Sequence, residues 1–162
     1  MEIPIPPGAE EPAEARIVKM DSDQALSLGY GHDRKTLATA GFDGVVHLWD
    51  AVTGRQVAQL DGETKATIRS VTVTRDGKFV ACVNDAGLLR VWDVGSAALK
   101  QSLVGLSEPM REATATFMLD SVDFAPDGHL IAVSGFGPTH TEPPDRIYEL
   151  RVFDVHAGKP ML

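Results

Sequence analysis

Gly41-Phe42-Asp43-Gly44-Val45-Val46-His47-Leu48-Trp49-Asp50 reads as a tight turn followed by a short strand that closes on a Trp-Asp pair. A related stretch returns as Ala86-Gly87-Leu88-Leu89-Arg90-Val91-Trp92-Asp93. A third copy, more worn, is Tyr148-Glu149-Leu150-Arg151-Val152-Phe153-Asp154. Trp49 and Trp92 lie 43 residues apart. A fixed spacing of this size is the mark of a repeat architecture, in which each unit is one supersecondary element.

The rest of the chain falls into place around these strand ends. In the first unit, strands are predicted over Ala25 to Tyr30, Thr36 to Ala40, Val45 to Asp50 and Arg55 to Leu60, with turns at Gly31–Lys35, Gly41–Gly44 and Thr53-Gly54. The second unit repeats this near Arg69–Thr74, Phe79–Val83, Leu88–Asp93 and Leu99–Leu103, and its turn Arg75-Asp76-Gly77-Lys78 carries the Asp-Gly pair of a tight hairpin. The third unit starts near Leu119, turns at Ala125-Pro126-Asp127-Gly128-His129, and offers strands at Leu130 to Ser134 and Ile147 to Asp154. Asp33 to Trp49 and Asp76 to Trp92 are both 16 residues, whereas Asp127 to Phe153 is 26. An insertion therefore separates the second and third strands of unit three, from about Gly135 to Arg146. Another, from about Leu106 to Phe117, separates units two and three. Strands so spaced, without helical periodicity, predict an all-β array of about three four-stranded antiparallel sheets with repeats near 15–62, 63–105 and 106–162.

These units resemble the WD40-repeat β-propeller family. The resemblance is carried by Trp49-Asp50 with Thr53-Gly54, by Arg75-Asp76-Gly77-Lys78 with Trp92-Asp93, and by Pro126-Asp127-Gly128 with Phe153-Asp154. It covers roughly residues 15–162. It implies that each blade is tied by a tetrad of a Trp on strand three, a Ser/Thr on strand two, an Asp in the turn between them and a His before strand one. Unit one keeps Thr39, Asp43 and Trp49, but Met20-Asp21-Ser22-Asp23 supplies no histidine. Unit two has Trp92, with Cys82 and Ala86 at the Ser/Thr and Asp positions; unit three has Ser134 and Phe153. With the polar tetrad incomplete, stability should rest on apolar faces. Val46 with Leu48, Leu89 with Val91 and Leu150 with Val152 share one sheet face by strand alternation, and the aromatics take the other. For the family, the expected role is protein interaction.

Composition sets outer limits. The apolar fraction of 43% suits a globular domain, and a net charge of -8 argues against a phosphate-backbone binder or a protein drawn to anionic lipid. Residues 1–14, with four prolines and four glutamates, read as a disordered arm. Ala15 to Met20 reads as a short strand. The single cysteine, Cys82, lies in an apolar run and reads as a core residue. Neither a membrane span nor a signal peptide is legible, so the expected address is cytoplasmic.

No catalytic constellation emerges, and neither a cofactor nor a metal site is expected. Ser134-Gly135-Phe136-Gly137 lacks the Gly-x-Ser-x-Gly of a nucleophile elbow. Gly29-Tyr30-Gly31 precedes no helix that could cradle phosphate. The segment His140 to Asp145 holds possible ligands but no second cluster to complete a metal site. The two insertions are the better clue. In a four-stranded meander, the two-to-three and four-to-one connections share one rim, so both long segments rise from one side of one blade. Long ordered loops are often functional. The candidate protein-binding residues there are Met110, Arg111, Phe117, Phe136, His140 and Glu142.

Three blades do not close a ring, which takes about four to eight. The outer faces of the first and last sheets should then expose apolar surface that something covers. A homo-oligomer, a complementary propeller fragment or the remainder of a longer protein would each serve. The readings to test are an interaction scaffold, a half-propeller built to assemble, and an enzyme accessory domain with a pocket in the channel.

Overall fold

Residues 25–62, 65–104, 118–138 and 146–161 are described by the structure, a computed structural model. They form twelve strands: β1 (Ala25–Tyr30), β2 (Thr36–Gly41), β3 (Val45–Asp50), β4 (Arg55–Asp61), β5 (Ile68–Val73), β6 (Phe79–Asn84), β7 (Leu88–Asp93), β8 (Leu99–Val104), β9 (Met118–Phe124), β10 (Leu130–Pro138), β11 (Arg146–Asp154) and β12 (Lys159–Pro160). They make three four-stranded antiparallel meanders, β1-β2-β3-β4, β5-β6-β7-β8 and β9-β10-β11-β12, and no helix is present among the described residues. We call these blades one, two and three. The first strands lie side by side, β1 against β5 and β5 against β9.

Turn chemistry explains where each strand stops. In the first turn of each blade an aspartate accepts backbone N–H groups that would otherwise be unpaired: Asp33 from Lys35 and Thr36, Asp76 from Lys78, Asp127 from His129. The aspartate of each Trp-Asp or Phe-Asp pair does the same for the third turn. Asp50 accepts from Val52 and Thr53, Asp93 from Ser96, and Asp154 from His156 and Ala157, all within 2.9 Å. The first turn also needs a left-handed residue. Gly77 and Gly128 supply it at φ 73°, but blade one places Arg34 there at φ 59°. A Cβ on Gly77 would drive into the Asp33 carboxylate and come within 2.9 Å of the Thr36 hydroxyl, so this glycine also permits adjacent blades to approach.

Two apolar cores hold the blades together. The first lies between blades one and two. It joins Ala38, Val46 and Leu48 to Ile68, Val71, Val73, Val80, Cys82 and Trp92. The second lies between blades two and three, joining Val83, Leu89 and Val91 to Leu119, Val122, Phe124, Ile131, Val133 and Phe153. The alternation read from the sequence is thus the two-sided face of a stacked sheet. One side of β3 and of β7 packs on the following blade, and the aromatic side of β7 and of β11 packs on the preceding one. Each fully buried Val or Leu contributes about 1.5–3 kcal/mol relative to exposure, so these faces dominate stability.

Blade three corrects one expectation. The insertion was placed from about Gly135, but strand pairing continues beyond it, with Gly135 opposite Glu149, Phe136 opposite Tyr148, and Pro138 opposite Arg146. β10 and β11 are nine residues each, where β2 and β3 have six. Part of the extra sequence therefore lengthens the hairpin. The cause is that Phe136 and Tyr148 pair in register, their rings 5.9 Å apart, a contact that rewards further zipping. The expected arm over 1–14 and the strand at 15–20 lie outside the described residues.

Candidate interaction surfaces

Blade one carries the polar network anticipated for it, with a substitution. The Trp49 indole N–H donates to the Thr39 hydroxyl at 2.9 Å, buried, between residues on β3 and β2. Asp43, in the intervening turn, lies 2.7 Å from Nε2 of His47. The histidine missing before strand one has a counterpart on strand three, beside Thr39 in the ladder. Its signal was in the opening stretch: His47 stands two residues before Trp49, so alternation puts both on one face. His47 is 8% exposed, and its Nδ1 is buried with no hydrogen-bond partner.

In blade two the same three positions are Cys82, Arg90 and Trp92, with Cys82 opposite Arg90 in the ladder. All three are buried. Burial pushes the Cys82 thiol up to about 12, and the nearby Arg90 charge only partly offsets it. Cys82 is therefore an inert core group. In blade three the register corrects the assignment of Ser134. Val133, not Ser134, lies opposite Arg151, two residues before Phe153, and so holds the place of Thr39 and Cys82. Ser134 pairs with Leu150 on the other face. Blade three puts apolar Val133 and Phe153 at the positions of the polar staple, and both are buried in the second core.

Asp33, Asp50, Asp76, Asp93 and Asp154 are held below the usual carboxylate range. Hydrogen bonds do this at Asp50 (first the Thr53 N–H), Asp93 (the Ser96 N–H) and Asp154 (the Ala157 N–H). For Asp76 the main cause is the Lys78 side chain, 3.0 Å away. At Asp33 burial pushes the carboxyl up, but bonds from Lys35 and Thr36 together outweigh it.

The two rims of the array differ. At one, the first and third turns of each blade are tied by a backbone bond, Ala51 to Lys35, Val94 to Lys78 and Val155 to His129. At the other lie the second turns and the connections between blades, as Gly62 to Gly44 and Asp85 to Thr67 show. The ends of β8 and β10 and the starts of β9 and β11, at Val104, Pro138, Met118 and Arg146, lie toward this second rim. Residues 105–117 and 139–145 between them lie outside the described residues. Of the candidate binding residues, Phe136 is half-buried on β10 against Tyr148. Met110, Arg111, Phe117, His140 and Glu142 lie outside the described residues. Two clefts open on the first rim instead. One of about 380 Å³ sits at the ends of β1, β5 and β9, lined by Tyr30, His32, Thr72, Arg75, Asp123 and Phe124 among others. A neighbour of about 330 Å³ lies between the Arg75-Asp76 and Pro126-Asp127-Gly128 turns. No local sequence signal marks these clefts, because turns of different blades line them.

The end faces are open. Val46 and Leu89, at one position of the repeat, are 0% exposed, whereas Leu150 in blade three is 71% exposed. Val71 and Val122 are 4% and 5% exposed, whereas Leu28, their equivalent in blade one, is 63% exposed. Tyr30, equivalent to the buried Val73 and Phe124, is half-exposed.

Comparison with known proteins agrees with this architecture. Residues 20–50 and 54–93 match the family model described as WD domain, G-beta repeat. The chain is 33% identical over 79 residues to Autophagy-related protein 16 of Arabidopsis thaliana, covering 49% of this chain and 15% of that protein. It is 24% identical over 109 residues to Protein HIR1 of Cryptococcus neoformans, covering 67% and 12%. With Nuclear distribution protein nudF of Emericella nidulans it shares 35% identity over 69 residues, covering 43% and 16%. The chain thus spans less than a fifth of the length of these relatives.

Proposed function

We propose that this chain, which carries WD40 repeats in a propeller segment, serves as a protein-interaction scaffold without catalytic activity of its own. The match of residues 20–50 and 54–93 to the repeat model carries this reading. The finer form assigns docking to the two long insertions of the sequence, with Phe136 and Tyr148 on the extended hairpin and Met110, Arg111, Phe117, His140 and Glu142 as the candidate contact residues. The partner is a protein rather than nucleic acid or membrane, given the net charge of -8. No helix among the described residues is long and apolar enough to cross a membrane. A cytoplasmic setting fits a chain whose lone cysteine is a buried thiol. Replacing 139–145 by a short Gly-Ser turn should abolish binding to a purified partner and leave the thermal midpoint unchanged. Retained binding by that variant would remove this assignment.

A second reading, a half-propeller whose role is assembly, is favoured by the open end faces. Leu28, Tyr30, Tyr148 and Leu150 are each at least 50% exposed. Large apolar side chains left exposed on sheet faces at both ends of the array support a surface that is covered in use. The native mass in solution tests it.

A further inference from the structure

Blade three carries an imidazole pair that the other two blades lack. His129 closes its first turn and His156 lies in its third. At the equivalent positions blade one has Lys35 and Val52, and blade two has Lys78 and Gly95. The two turns are tied by the Val155 N–H, which donates to the His129 carbonyl at 2.9 Å. That rung sets the two side chains beside each other, their ring centroids 5.3 Å apart and their planes at 60°. His156 also meets Phe79 of blade two edge-on, with 6.3 Å between centroids at 83°. A ring already held by packing loses less freedom when it takes a ligand. Both histidines are exposed, so ions in solution reach them. Carboxylates of the same two turns lie close by. Asp127 accepts the His129 N–H, and Asp154 accepts the His156 and Ala157 N–H groups. Asp154 is held low first by the Ala157 N–H, and the charges of His156 and His129 add to this, so its carboxylate sits near both rings.

The spacing of the rings has a chemical meaning. An imidazole nitrogen binds zinc at about 2.0–2.1 Å along its lone pair, which puts the ring centre about 3.2 Å from the metal. Two such rings at a tetrahedral angle stand about 5.2 Å apart, whereas neighbouring ligands of a square-planar ion stand about 4.5 Å apart. The 5.3 Å between His129 and His156 fits the tetrahedral case. We propose that His129 and His156 together chelate a divalent ion of the zinc class on the first rim, stapling the first turn of blade three to its third. Among the described residues no group of three His, Cys, Asp or Glu could hold a metal ion. Water therefore fills the remaining positions, and the ion exchanges with solution. Asp127 and Asp154 act through their field, since an oxygen of each is already committed to backbone N–H groups. Lysine at these positions, as in blades one and two, is charged at neutral pH and repels a cation. The inference is independent of both readings above.

Calorimetric titration of the full chain with Zn²⁺ should show one ion bound per chain, and Mg²⁺, which takes oxygen ligands, should show none. His129→Ala and His156→Ala should each weaken zinc binding at least about 10-fold, since each removes one of two protein ligands. Circular dichroism should not change, because both side chains are exposed. His32→Ala and His140→Ala should bind zinc as the parent does. Binding should fade below about pH 6, where imidazole takes up a proton and loses its lone pair. Co²⁺ in place of zinc should give the visible absorption of a four-coordinate ion. An absence of zinc binding overturns the proposal. So does binding that survives both His129→Ala and His156→Ala, or that is lost with His140→Ala instead. A six-coordinate cobalt spectrum overturns the tetrahedral chelate.

Discussion

Blade two and blade three are built on the same repeat, yet they live in different surroundings. Leu89 of blade two is buried in the core shared with the next blade, whereas Leu150, its counterpart, faces solvent. The sequence makes the two positions alike; the neighbour makes one a core residue and the other a surface residue. A strand face is apolar because of what will cover it, and in an array each cover is the next unit.

The sharpest way to break this comparison is truncation at the two positions. Leu89→Ala should cost about 3 kcal/mol by urea unfolding, from lost transfer energy and the cavity left behind. Leu150→Ala in the single chain should cost within about 0.5 kcal/mol. Equal costs would mean that the outer face is covered after all. Next in size is Gly77→Ala, which meets a left-handed backbone and the Asp33 carboxylate at once and should cost about 2 kcal/mol or more. Thr39→Val leaves the buried Trp49 N–H without its acceptor and should cost about 1–2 kcal/mol. Blade three, which carries Val133 and Phe153 at these two positions, shows how the site survives without the bond: Thr39→Val combined with Trp49→Phe should recover part of that loss, measured as a double-mutant cycle.

Smaller effects sharpen the comparison of turns. Arg34→Gly should raise stability by about 0.5 kcal/mol, because glycine removes left-handed strain at some entropic cost. No gain would place the turn's strain elsewhere. The gentlest dependence is on acid. Asp50, Asp93 and Asp154 titrate below their ordinary value in the folded chain, so their contribution is complete above the unfolded carboxylate range near pH ~4. It fades as pH falls through the lowered folded values. Asn in place of Asp154 should flatten that acid limb slightly in pH-dependent unfolding.

Much of the fold was legible because turn chemistry is local. Asp33, Asp76 and Asp127 announce the first turns, and Asp50, Asp93 and Asp154 the third, each by binding backbone N–H groups within three residues. Alternation in β3, β7 and β11 marked the packed faces for the same reason. The strand ends in blade three were misjudged because Gly135 looks like a turn residue. Its strand continues because Phe136 finds Tyr148 across the ladder, a partner 12 residues away. Ser134 was assigned in place of Val133 because a hydroxyl fitted the expected residue type, and only pairing opposite Arg151 settles which face each occupies.

The interaction surfaces were the least legible part. His47 was visible in the opening stretch, but its role depends on the Asp43 turn folding back onto it. His129 and His156 are 27 residues apart, and nothing local tells such a pair from two unrelated exposed histidines. The sequence by itself determined the repeat, its turns and the alternation of its faces, since these are set by φ preferences and short-range hydrogen bonds. Only the tertiary structure decided which of those faces is core and which is open, because burial is a property of the neighbour across the interface and not of the strand that presents it.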